Sequence, residues 1–68
     1  MTPDQFAALA KLLRLRASVS TAAARLHFVD GLRIADAARA AGCTANAASD
    51  CVRRCRAGIA LAQKVAGL

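Results

Sequence analysis

Cys43, Cys51, Cys55 and His27 are the side chains of this sequence best suited to metal or thiol chemistry. Together they have the donor types of a Cys3His zinc site. Their spacing argues against one. The close cysteine pair with two residues between is missing, and Cys51 and Cys55 stand four apart in one helical pattern. A disulfide across that single turn would be strained. On a helix turning about 100° per residue, Cys51 and Cys55 share a stripe with Ala48, Val52 and Ile59. Cys43 follows Gly42, where a tight turn between helices needs a small buried residue. All three cysteines therefore read as core, with no metal and no cofactor expected. His27, between Leu26 and Phe28, reads as a surface or core-edge histidine. No Ser–His–Asp, Cys–His, paired-carboxylate or phosphate-loop pattern occurs, so neither an enzyme nor a small-molecule substrate is expected.

A second set of residues carries recognition chemistry. Asn46, Ser49, Asp50, Arg53 and Ala57 fall opposite the cysteine stripe, on what should be an outer face. An asparagine amide can pair with adenine N6 and N7, and an arginine can fork onto guanine O6 and N7. Asp50 lies between them, where it can accept from cytosine N4 or hold Arg53, three residues on, in one rotamer. The spacing makes the second role the expected one. Arg54 and Arg56 flank this face, and with Thr44 and Arg33 they are the expected phosphate contacts. The expected partner is double-stranded DNA.

Those side chains need a particular frame. Ile34 to Ala41 carries alanines at helical spacing, Gly42 makes a turn, and Thr44 can cap the helix that follows. Helix, glycine turn and capped helix with a cationic face is the sequence form of a helix-turn-helix, here spanning about 33–56. Two further helices should brace it. Thr2-Pro3-Asp4-Gln5 is a capping box with proline at the first helical position, opening a helix to about Leu15 with Phe6, Leu9, Ala10 and Leu13 inside. Ser18 or Ser20 can cap a second helix to about Val29, with Val19, Ala22, Ala23, Leu26 and Val29 as its inner stripe and Gly31 as its stop. Gly58 is expected to kink or end the fourth helix, at a cost of about 1 kcal/mol relative to alanine. If the helix continues, Ala62 and Ala66 extend the buried stripe. Leu61, Val65 and Leu68 then form a second apolar line, expected to pair with a second copy of the chain or else to fold back on Phe6 and Leu13.

Composition agrees. The 68 residues suffice for one small all-α domain of four to five helices, covering 1–68 with 57–68 as a dimerisation segment. A core of that size is marginal alone. Eight arginines and two lysines face four aspartates and no glutamate, a net charge of +6 that points to a polyanion. An odd cysteine count without a signal peptide fits a reduced, cytoplasmic protein, at the nucleoid when on DNA. The apolar residues are spread over several capped helices, which argues against a membrane-surface protein.

The sequence resembles the KorA/TrfB family of plasmid transcriptional repressors. Thr2-Pro3-Asp4-Gln5-Phe6 is similar to that family's T-x-x-Q-F opening. Val29-Asp30-Gly31 and the stretch Ala35 to Arg54 also resemble it, with Gly42, Thr44, Ser49, Val52 and Arg54 at matching places. The likeness covers Thr2 to about Arg56. It implies an all-helical bacterial DNA-binding domain that represses promoters as a dimer on a palindromic operator. Two differences bear on specificity: Ala45 stands where the family often has a basic residue, and Asp50 replaces a glutamine reader. The family's C-terminal dimerisation region has no counterpart before Leu68. The competing expectation is a protein-binding module, an inhibitor or adaptor that keeps this fold without binding DNA, and Asp50 on the reading face favours it.

Overall fold

The computed structural model describes residues 1–67, and Leu68 lies outside them. Four helices follow in order: α1 (Pro3–Leu12), α2 (Val19–Asp30), α3 (Ile34–Ala41) and α4 (Ala45–Ala66). The fold is all-α. Local chemistry sets each start. The Gln5 N–H donates to Thr2 Oγ1 at 3.1 Å and the Thr2 N–H donates to Gln5 Oε1 at 2.9 Å, closing the capping box. The Thr21 N–H donates to Ser18 Oγ at 3.3 Å, so Ser18 and not Ser20 caps α2. The Ala47 N–H donates to Thr44 Oγ1 at 3.1 Å at the head of α4. Arg33 holds the N-cap position of α3 without a side-chain cap.

The helix ends differ more from expectation. The first helix stops at Leu12 rather than Leu15, because Arg14 takes the left-handed region at φ 54°. The Leu15 N–H then donates to the Ala10 carbonyl at 2.9 Å and the Arg14 N–H to Lys11 at 3.2 Å. That pair of bonds closes a helix as a Schellman turn does, a position usually held by glycine. Gly31 and Gly42, at φ 75° and 82°, end α2 and α3 in the usual way. The fourth helix neither kinks nor ends at Gly58 and runs on for 22 residues. Gly58 is buried, and a Cβ there would lie 2.7 Å from Leu13 Cδ2. Its lack of a side chain lets the end of α1 lie against α4.

Two clusters make the core. Phe6, Leu9, Ala24, Val52 and Cys55 pack beneath α1, with Phe6 and Phe28 stacked at 6.4 Å between ring centroids. Ala23, Ala37, Ala38 and Ala48 form the buried centre of the second cluster, where α2, α3 and α4 meet, with Leu26, Leu32 and Ile34 packed around it. Small side chains there let the helix axes approach closely. The α2 helix touches all three others, so its inner surface is two faces rather than the single stripe expected. Ala23 and Ala24 are buried, whereas Val19 and Ala22 are exposed. Ala62 and Ala66 are also exposed, contrary to the expected continuation of the α4 stripe. Gln5, Leu9 and Leu12 of α1 lie across an open groove from them.

Candidate nucleic-acid interface

The α3 and α4 helices are joined by Gly42-Cys43-Thr44. Gly42 and Cys43 both donate to the Ala38 carbonyl, at 2.9 and 3.0 Å. Cys43 is half-buried and packs on the alanine cluster, as the turn requires. The Thr44 hydroxyl is held by its capping bond, which fixes the start of α4 and the direction of its first turns.

From that start, Asn46, Asp50, Arg53 and Ala57 lie exposed along one ridge. Arg53 Nη1 and Asp50 Oδ1 are 3.5 Å apart, in the pairing that their spacing predicts. Both side chains are about three-quarters exposed, so the pair orients Arg53 more than it stabilises the fold. Ser49 departs from the ridge. It is half-buried beside Ile34, Val52, Arg53 and Arg56, in the groove between α3 and α4.

The expected phosphate residues divide. Arg33 is exposed and stands 3.5 Å from Asp36, which also faces Arg39 at 3.6 Å. Arg54 donates from Nη2 to the Leu13 carbonyl at 2.7 Å, tying the end of α1 to α4. That bond uses one of its five N–H donors, and the residue is exposed. Arg56 Nη2 lies 3.3 Å from His27 Nε2, while His27 Nδ1 lies 2.7 Å from the Leu32 carbonyl. With Nδ1–H donating to Leu32, Nε2 is the acceptor for Arg56. His27 is thus a core-edge link between α2, the turn after it and α4. Sequence spacing could not reveal either tie, because the partners are 41 and 29 residues apart.

The remaining thiols are interior. Cys55 is fully buried and Cys51 is half-buried beside it. Burial, and then the Cys51 thiol, push Cys55 up to about 11. It is a neutral packing group at physiological pH. Among the described residues no set of three or more His, Cys, Asp or Glu converges as metal ligands. No helix among them is long and apolar enough to cross a membrane.

At the other end of α4, Leu61 and Val65 are 62% and 66% exposed and Leu12 of α1 is 64% exposed. They share an apolar groove of about 440 Å3 with Leu13, Gly58 and Ala62. Leu61 and Val65 therefore border Leu13 across the groove but stay exposed, and Phe6 does not line it. Leu68, the third residue expected in this line, lies outside the described residues.

No family model, curated protein or solved structure matches the chain.

Proposed function

We propose that this protein is a sequence-specific double-stranded-DNA-binding regulator, a repressor of the KorA/TrfB type acting on promoters of a plasmid, phage or other mobile element. It works as a dimer on a palindromic operator, with the first half of α4 in the major groove. The observation that carries this reading is the exposed ridge of Asn46, Asp50 and Arg53, directly after a capped glycine turn. Recognition helices of this motif contact base edges from their N-terminal turns. Asn46 and Arg53 have the side chains for adenine and guanine, and Asp50 holds Arg53 ready. A net charge of +6 supplies the sequence-independent attraction.

The test is a selection of bound sequences from a random duplex pool, followed by affinity measurements across salt. Binding should weaken steeply with salt as phosphates release counterions. Arg53→Ala should lose about 1–3 kcal/mol at one base pair of the selected site. Asp50→Ala should raise affinity for random duplex while narrowing the gap to the selected site. A wild-type protein that binds no duplex at low salt defeats the proposal. That result would favour the protein-binding module, for which the exposed Leu12, Leu61 and Val65 offer a surface.

A further inference from the structure

A cleft of about 660 Å3 opens between the α1–α2 turn and the first turns of α4. Three of its walls end in arginine: Arg14 and Arg16 from the turn, and Arg54 from α4. Ser20 lines the floor, and Asp50 stands at the α4 rim. Asp50 is the one carboxylate on this lining, and it is paired with Arg53 at 3.5 Å. The cleft is therefore cationic, beside the head of α2, whose dipole adds to the same sign.

We infer that this cleft is a phosphate-binding site that takes a backbone phosphate of the bound duplex, on the side of α4 away from α3. The inference rests on the DNA-binding reading and adds Arg14 and Arg16 to it. The layout carries it. Ala47, Cys51 and Arg54 face the cleft on one side of the α4 ridge, and Ser49, Val52 and Arg56 face α3 on the other. A helix seated in a major groove has a phosphate strand on each side. Arg33 serves the α3 side, and the cleft serves the opposite one. Arg14 also occupies a left-handed position that glycine would fill with less strain, and it lines the cleft. A non-glycine residue in a left-handed state is the kind of backbone outlier that gathers at functional sites.

The experiment compares Arg14→Gly and Arg16→Ala with wild type, using Arg25→Ala on the outside of α2 as a charge-matched control. Arg14→Gly should melt higher than wild type, because the left-handed strain is gone. On a random duplex of about 20 base pairs, Arg14→Gly and Arg16→Ala should each flatten the salt slope, by up to about 0.9 for the one phosphate they share, and Arg25→Ala should not. Millimolar pyrophosphate should leave the melting temperature of wild type unchanged. If wild type binds duplex and the cleft variants keep its slope, or Arg25→Ala loses as much, the cleft inference fails and the DNA reading stands. If wild type binds no duplex, the DNA reading fails. In that case pyrophosphate stabilisation that Arg16→Ala abolishes would assign the cleft to a small free phosphate and overturn the duplex as its source. Binding of neither overturns both.

Discussion

The Cys55 side chain is where the chemistry of this small core is easiest to measure. Its thiol is held up at about 11 by burial and by Cys51, against an ordinary value near 9. As pH rises, the unfolded chain loses this proton first. The stability gained by keeping the thiol neutral is whole below about pH 9 and drains away towards pH 11. We expect urea midpoints to fall between pH 8 and 11 for wild type, and to fall less for Cys55→Ala. At pH 7 that variant should lose less than the roughly 2–5 kcal/mol of a leucine truncation, since its cavity is smaller. Parallel pH profiles for the two proteins would show that Cys55 does not titrate as described. The inward placement of Cys51 and Cys55 was legible from helical periodicity, and that of Cys43 from its place after the turn glycine. So was the pairing of Asp50 with Arg53, because i, i+3 contacts need only a helix. The bonds from Arg54 to Leu13 and from Arg56 to His27 were not, since they depend on how separate helices lie together. The cationic cleft was hidden for the same reason.

At the scale of helices, side-chain caps were readable and strain was not. Thr2, Ser18 and Thr44 each cap a helix through a bond to a residue three positions on, a purely local signal. Arg14 ends α1 through a backbone state that arginine disfavours, so nothing in its type announced the stop. The α2 helix misled for another reason: packed against three helices on two faces, an alanine-rich helix has no single periodic stripe to read. Gly58 combines both difficulties. By propensity it should weaken α4 by about 1 kcal/mol. In place, it makes room for Leu13, whose Cδ2 would meet an added Cβ at 2.7 Å. Two opposed effects then govern Gly58→Ala, a helix gain and a displaced leucine. We expect Gly58→Ala to destabilise wild type by about 1 kcal/mol or less, with the lost packing outweighing the propensity. In a Leu13→Ala background the clash is gone, and the same change should stabilise by up to about 1 kcal/mol. Denaturant unfolding of the four proteins measures the coupling. Equal effects in both backgrounds would mean that Gly58 is not there for Leu13.

The whole molecule extends 39 × 20 × 19 Å, and α4 alone, at 1.5 Å per residue, accounts for about 33 Å of the long axis. Its final turns carry Leu61 and Val65, which stay exposed across a groove from Leu12 of α1. A domain of this size with a marginal core gains from covering such a surface. A second copy is the proposed cover, and the geometry of α4 sets what that dimer could read. Residue 63, midway along the apolar line, lies about 20 Å along the helix from residue 50 on the reading ridge. Two helices paired antiparallel near residue 63 would hold their reading ridges about 40 Å apart if collinear. Inclining them to each other shortens this to the 34–36 Å that separates successive major-groove faces. At about 100° per residue, Leu61 and Val65 stand roughly 60–120° round the helix from Asn46 and Arg53, so one helix can meet DNA and partner at once. The prediction is a two-fold dimer whose selected operator has half-sites about 10 base pairs apart, centre to centre. Light scattering at tens of micromolar should give twice the chain mass for wild type. Leu61→Lys should stay helical by circular dichroism and become a monomer, because each chain would bring a charge to the apolar groove. On DNA it should bind single half-sites about as tightly as the paired operator, having lost the advantage of two linked contacts. A wild-type chain that stays monomeric both free and on the operator would leave the apolar end of α4 to a different protein.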